Sequence, residues 1–432
     1  MRLAPSRPAR TTSAGACSVF GWNGALAPGH RRDSSGSLLV GDVSAASLAA
    51  AYGTPLVVID VALLEDALER LRSICEPLDV NVSYAAKAFL CEPLARLLAG
   101  RSIGMDVCSL GELELAERSG FPADRLTLHG AGKTDPELRA VLARRVGRVV
   151  LDGLSDLRRL AQLAGGSLPA SVLLRLNTGL DVDTHRHVKT VGEASKFGLA
   201  PHEEAAAIEL IRSAPSFAFT GLHAHAGSQI ADPETLAANV RELGEAADRF
   251  AAQGLVARTL VAGGGFGIQY DPSRPQDALD VGAAVAACSA ALSSRDLPAQ
   301  PVLEFEPGRS IIAHAGTTIY EVMSVKHRAD RTFVVVDGGM ADNPRPALYG
   351  AYHHVVPVVA TDGAQRPAAI FGRACEDDFI AEALLPADLE RGCLLAVCTT
   401  GAYTYSMSSN YNGFEKPRVV AVSHGAHEAW AG

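Results

Sequence analysis

Between about residue 80 and residue 308 the chain alternates eight times between a short apolar run and a longer Ala/Leu/Glu/Arg segment of helical period. The short runs are "VNVSYAAK" (80–87), "IGMDVCS" (103–109), "RLTLHG" (125–130), "GRVVLD" (147–152), "SVLLRLN" (171–177), "FTGLHAHA" (219–226), "RTLVAGGG" (258–265) and "PVLEFEPG" (301–308). Segments such as "LGELELAERSG" and "PETLAANVRELGEAADRFAAQG" have the length and apolar spacing of crossover helices. Eight successive β/α units are the size of a (β/α)8 TIM barrel, and a doubly wound sheet is the second choice.

The rhythm changes after Glu306. "GTTIYEVMSVKHR", "RTFVVVDGG", "HVVPVVA", "PAAIFGR", "CLLAVCTTGAY" and "PRVVAVSHG" are strands joined by turns with little helix. The expected organisation is therefore α/β: a barrel over 55–308, then a β-rich C-terminal domain, barrel or sandwich, over 309–432. The strand-like "PLVVID" near 55 can pair with either unit, so the second domain is drawn with 41–60 as an optional part. Residues 1–40 carry several arginines, many small residues and no acid before Asp33, and are expected to be a disordered extension.

Composition narrows the function classes. The 432 residues carry a net charge of −9 with 20% charged and 48% hydrophobic residues, which is unlike a nucleic-acid binder with a basic face. No uninterrupted apolar run is long enough to cross a bilayer, so a cytoplasmic protein is expected. Eight scattered cysteines without a C-x-x-C pair fit a reducing compartment better than a disulfide framework or zinc cluster.

A barrel opens all its strand ends on one face, and reactive residues should gather there. Lys87, Asp106, His129, Asp152, Asn177, His225, the run Gly263 to Gly265 and Glu306 all lie at or near such ends. Singly each has a plain structural explanation, an aspartate as helix cap or a histidine as satisfied core polar group. Jointly they mark a site. "GGGFGIQY" follows the seventh run, where barrels commonly bind phosphate, and three glycines let backbone N–H groups approach an anion closely. It lacks the G-x-G-x-x-G dinucleotide pattern. Lys87 closes an apolar run, and an amine in apolar surroundings attacks carbonyls near neutrality. With a phosphate cradle and Glu306 available for a ring nitrogen, this suggests a Schiff base to pyridoxal phosphate.

Taken together, "YAAKA", "GMDVCSLGEL", "SKFGL", "HAHAGSQI", "GGGFG", "EPGR", "DGGMADNPRPALYGAYH", "GRACE" and "GAYTYSMSSNYN" resemble the fold-type III pyridoxal-phosphate decarboxylases, among them the diaminopimelate decarboxylases, over roughly residues 50–425. The resemblance implies that Lys87 carries the cofactor, that His225 stacks on its ring and that Glu306 holds the ring nitrogen. It implies that Asp106, Ser228, Gly264, Gly265, Gly308 and Tyr403 complete the cofactor set. Arg309, Arg345, Tyr349, Tyr403 and Glu376 would bind an amino-acid substrate, two arginines suiting a carboxylate beyond the one being lost. Cys375, as proton donor, and Glu376 would be donated across a homodimer with two shared sites. The implied reaction turns meso-diaminopimelate into L-lysine and carbon dioxide.

Two departures from the family pattern stand out. Where relatives have a C-E-small-G-D run this chain has "CEDDF", which adds charge at Asp377 and Asp378 near the expected distal-amine site. Phe89 stands where asparagine is common. A sibling decarboxylase acting on ornithine, lysine, arginine, a D-amino acid or a polyamine precursor is the alternative, although it would leave Arg345 without a carboxylate. A catalytically silent relative would not need both Lys87 and Cys375. A metal-dependent hydrolase built on His223 and His225, or on His185 and His187, has no use for Lys87 or the glycine loop, so no metal is expected.

Overall fold

The computed structural model describes residues 26–165, 169–179, 195–328 and 331–431. Eight parallel strands close into a barrel: β1 (Asn81–Ala85), β2 (Gly104–Val107), β3 (Leu126–Leu128), β4 (Arg148–Leu151), β5 (Ala170–Arg175), β6 (Phe217–His223), β7 (Thr259–Val261) and β8 (Val302–Phe305). Closure is made by β8 against β1, with Glu304 opposite Asn81 and Phe305 opposite Val82. These strands are covered on both faces, which is why they read as near-continuous apolar runs instead of alternating ones. Each expected barrel run overlaps one of them, β5 and β6 beginning one and two residues before their runs.

The outer helices follow from amphipathic spacing and caps. In the helix Pro233–Ala251, Asp232 accepts the Glu234 N–H, Pro233 occupies the first turn, and Leu236, Val240, Leu243, Ala247 and Phe250 face the barrel. Phe250 stacks on Phe219 of β6 at 5.9 Å between ring centroids.

A second, nine-stranded sheet has Gly316–His327 and Leu56–Asp60 at its centre. Leu56–Asp60 runs antiparallel to Gly316–His327 and parallel to Arg418–Ser423. The segment "PLVVID" thus pairs with the C-terminal strands. Two strands of this sheet, Phe379–Pro386 and Ala426–Ala431, are absent from the sequence reading. Their Ala/Glu-rich texts, "FIAEALLP" and "AHEAWA", carry helical propensity, which the ladder to Gln365–Phe371 and to Arg418–Ser423 overrides.

The disorder expected over 1–40 does not extend to its end. Residues 1–25 lie outside the described residues, but His30–Arg32 and Leu38–Val40 form an antiparallel pair. Leu38 and Val40 are fully buried in a cluster with Leu56, Val58 and Val420. An apolar "LLV" gains more by covering that sheet face than the small and polar residues before it lose by ordering.

All seven described cysteines are free. Among the described residues no helix is long and apolar enough to cross a membrane.

Phe250→Ala removes a fully buried ring from the helix–barrel contact. It should cost about 3–5 kcal/mol, read as a lowered urea midpoint with an unchanged slope.

Candidate active site

A cavity of about 860 Å³ opens at the C-terminal ends of the barrel strands. Lys87, Asp106, His225, Ser228, Gly264, Gly265, Glu306, Gly308, Arg309, Arg345, Tyr349 and Tyr403 all line it. Cys375 and Glu376 do not: both are exposed, on a loop that is not part of the cavity wall. Glu376 accepts a hydrogen bond from the Tyr411 hydroxyl at 2.7 Å.

Lys87 corrects one expectation. It sits on a 3-10 turn, Ala86–Ala88, that leaves the barrel direction just after β1. The turn buries Ala86 and Ala88 and swings Lys87 out, so its side chain is exposed to the cavity instead of enclosed in apolar surroundings. The next residue, Phe89, is buried against Tyr405 at 5.6 Å, while its carbonyl accepts the Tyr84 hydroxyl at 2.8 Å. Phe89 therefore belongs to the core and is not part of the cavity wall.

Across the cavity, Glu306 lies between two imidazoles. His223 Nε2 is 3.0 Å from Oε2 and His129 Nε2 is 3.1 Å from Oε1. The first is a hydrogen bond; the second is an ion contact whose angle misses hydrogen-bond geometry, leaving Oε1 and Nε2 without a bonded partner. Asp106 adds a second carboxylate 3.6 Å from His129 and accepts the Ser83 hydroxyl at 2.7 Å. Burial opposes charge on His129, yet Glu306 and then Asp106 prevail and raise it to about 9. At His223 burial wins over Glu306 and lowers it to about 4. Burial also disfavours the charged form of Glu306, but the two histidines hold it well below the usual carboxylate range. Burial and then Glu306 push Asp106 up, so the cluster sets an ionised Glu306 against the His129 imidazolium.

His225, two residues after His223, has a different environment. Its Nδ1 accepts the Gly264 N–H at 3.2 Å, and burial, followed by Lys87 and Arg175, holds it well below its ordinary value. It is a neutral imidazole with its proton on Nε2. The two histidines of the H-x-H pair thus serve different groups. His185 and His187 lie outside the described residues.

The glycine loop is required by close backbone approach. A Cβ at Gly264 would lie 2.1 Å from the Glu306 carbonyl oxygen, and one at Gly265, whose φ is +85°, would lie 2.1 Å from that of Gly227. The Ile230 N–H donates to the Gly265 carbonyl at 2.9 Å, tying the loop after β6 to the loop after β7. Gln229 repeats that tie through its side chain, donating to the Ile268 carbonyl at 2.9 Å and accepting its N–H at 3.1 Å.

Two guanidiniums form the outer wall. Arg309 donates to the Tyr270 hydroxyl at 2.8 Å and to Ser228 Oγ at 2.9 Å, and lies 4.8 Å from the Tyr403 ring centre. Arg345 lies 4.6 Å from the Tyr270 ring centre and donates to His353 Nε2 at 3.0 Å. His353 in turn donates from Nδ1 to the Cys398 carbonyl at 3.1 Å, since burial and then Arg345 lower it to about 3. Burial works against ionising Tyr270, but Arg309 and Arg345 together hold its phenol below the ordinary value. Among the described residues neither arginine pairs with a carboxylate. Tyr403 is held at φ +60°, its N–H donating to the Ala88 carbonyl at 2.8 Å, which couples it to the Lys87 turn.

Sequence reasoning placed His129 among the strand-end candidates without giving it a role, named His223 only in the metal alternative, and missed Tyr270. The first two were visible as strand-end residues, and Tyr270 follows the glycine loop directly in "GIQYD". Asp152 and Asn177, also at strand ends, are not in the cavity wall. Asp152 lies 3.5 Å from Arg175 and accepts the Gly198 N–H at 3.3 Å. Asn177 accepts the Gly179 N–H at 3.2 Å.

Of the two aspartates that "CEDDF" adds, only one faces outward. Asp378 is buried and accepts the N–H groups of Met340 and Ala374, the latter at 3.1 Å. A Cβ on Gly339 or Gly372 would come within 2.2 Å of its Oδ2, so the surrounding backbone is shaped around this carboxylate. Only Asp377 is exposed.

Residues 62–313, more than half the chain, match the family described as "Pyridoxal-dependent decarboxylase, pyridoxal binding domain". The chain is 41% identical over 403 residues to a diaminopimelate decarboxylase of Actinosynnema pretiosum subsp. auranticum, covering 90% of this chain and 89% of the relative. It is 38% identical over 411 residues to that of Bacillus subtilis (strain 168), covering 91% and 92%. A crystal structure of diaminopimelate decarboxylase from M. jannaschii with L-lysine superposes with a TM-score of 0.85 at 28% identity, over 93% of this chain and 94% of that one.

Gly265→Ala should displace one of the two tied loops and destabilise the protein by about 2–4 kcal/mol, from the positive φ and the clash together. Urea titration measures it, with Gly254→Ala as a comparison at a positive φ with open space around it.

Proposed function

Because this chain belongs to the diaminopimelate decarboxylases of the pyridoxal-dependent decarboxylase family, we propose that its cavity binds meso-2,6-diaminopimelate and releases carbon dioxide and L-lysine. The observation that carries the substrate is the pair of guanidiniums flanking Tyr270, Arg345 buried and Arg309 half-buried, without a carboxylate partner among the described residues. Such a pair is costly to bury unless an anion completes it, and the substrate's distal carboxylate would do so bidentately.

The residues fit pyridoxal phosphate. The tied loops with Gly264 and Gly265, the Gly308 turn and Ser228 form a cradle that side chains would fill, suited to a phosphate. The unpartnered oxygens of Glu306 and Asp106 face the cavity from the opposite side, suited to a cationic ring nitrogen. Pyridoxal phosphate supplies the electron sink that accepts the pair left behind by the departing carboxylate.

The protein's own groups do the rest. Lys87, on the turn just after β1 and open to the cavity, would hold the cofactor through its amine. Glu306, kept ionised by His129 and His223, holds a proton on the ring nitrogen. Neutral His225 offers a flat face for stacking without adding a competing cation. Arg309, Arg345 and Tyr349 orient the substrate by its far end, and Tyr403 closes the wall beside the Lys87 turn.

Cys375 and Glu376 would act from a second copy of the chain. Their exposure outside their own cavity supports a homodimer with shared sites, in which the Cys375 thiol protonates the substrate carbon and Glu376 binds the distal amine. The reaction belongs to cytoplasmic lysine synthesis in this reading.

Arg345→Met should lower kcat/KM for meso-diaminopimelate roughly 100-fold, about 3 kcal/mol for a buried charge partner. The same assay with L-lysine and L-ornithine tests the substrate: turnover of either in place of diaminopimelate would overturn the assignment. Mixing inactive Lys87→Ala with inactive Cys375→Ala protein should restore activity that neither has alone; no recovery after subunit exchange would refute shared sites.

A further inference from the structure

The barrel interior holds a second charged layer beneath the cofactor-facing cluster. Glu304 lies on β8 and Glu306 just past its end, two residues on, so by strand alternation both side chains face inward at successive levels. Arg148, the first residue of β4, reaches Glu304 Oε1 through Nη2 and donates from Nε to Thr127 Oγ1 at 2.9 Å. Thr127 is opposite Arg148 in the β3–β4 ladder and opposite Asp106 in the β2–β3 ladder, so the lower layer is fastened to the strands that carry the upper one. The Glu304 side chain is 4% exposed and that of Arg148 23%.

Three carboxylates, Asp106, Glu304 and Glu306, therefore share one enclosed space, and Arg148 is the guanidinium ion-paired within it, while Arg175, also in the cavity wall, pairs outward with Asp152. We propose that the Arg148–Glu304 pair is a positioning element for catalysis: as an internally compensated ion pair beneath the site, it sets the charge state of the Glu306–His129–Asp106 cluster and, through Glu306, the protonation of the cofactor's ring nitrogen. The last clause rests on the role given to Glu306 above.

Groups on nearly every strand bear on Glu306. They are Asp106 on β2, His129 beyond β3, Arg148 on β4, Arg175 on β5, His223 and His225 at the end of β6, and Glu304 on β8. Burial raises Glu304 to about 7 in spite of Arg148, so the pair is fully charged above neutrality, the range in which His129, raised to about 9, titrates. Glu304→Gln keeps the shape and leaves the guanidinium uncompensated. Its unopposed positive charge disfavours protonation of every nearby base.

The test is a pH titration of the holoenzyme with two readouts, the His129 imidazole by NMR and the visible absorption of the bound cofactor. Glu304→Gln should lower the His129 midpoint by roughly one pH unit, the scale of a single uncompensated charge in a partly screened interior. The absorption midpoint should move the same way. Arg148→Met/Glu304→Gln, which removes both charges, should return both midpoints toward the wild-type values, whereas a merely structural role predicts that the double variant is more damaged than the single. Unmoved midpoints in Glu304→Gln, or no reversal in the double variant, would overturn the proposal. Movement of His129 alone would uphold the charge coupling and refute the placement of Glu306 at the ring nitrogen.

Discussion

The pairing of β8 with β1 is the contact on which the site depends. Only two register pairs define it, Glu304 with Asn81 and Phe305 with Val82. They bring the turn that carries Lys87 beside the strand end that carries Glu306, residues more than two hundred positions apart in sequence. Gly308 marks how close this approach is: a Cβ there would stand 2.9 Å from that of Ala88. The same closure brings His129 and His223, from opposite parts of the barrel wall, to either side of one carboxylate.

Enclosure then determines the chemistry. In water a carboxylate and an imidazole at 3 Å would exchange partners freely; inside the barrel their charges cannot be screened and must be balanced locally. The balance is uneven by design of position. His129 faces two carboxylates and keeps its proton, His223 faces one and loses it to burial, and His225 faces Lys87 and Arg175 and stays neutral. Three identical side chains thus acquire three electrostatic roles from their neighbours alone.

The barrel was legible in the sequence because strands buried on both faces give unbroken apolar runs and long crossovers separate them. The gathering of Asp106, His225, Glu306 and the glycine loop was legible because topology sends all strand ends to one face. What was not legible depends on distances that no local pattern encodes. His129 and His223 required the barrel radius, Tyr270 required the position of two arginines from different segments, and Lys87 required a single 3-10 turn that reverses its burial. Asp378 is a similar case: a charge in a loop text reads as surface, whereas its side chain turns inward to satisfy two backbone N–H groups. The strand Phe379–Pro386 was hidden by helix-favouring residues that only a long-range ladder overrules.

The central position of Leu56–Asp60 in the C-terminal sheet has a consequence for biosynthesis. This strand leaves the ribosome early, yet both of its partners, Gly316–His327 and Arg418–Ser423, come after the entire barrel. At ordinary translation rates it must wait on the order of ten to fifty seconds with an apolar, unpaired edge. Leu56, Val57, Val58 and Ile59 are therefore synthesised long before the strands that pair with them, so the sheet's central strand is the last part of the N-terminal half to find its ladder.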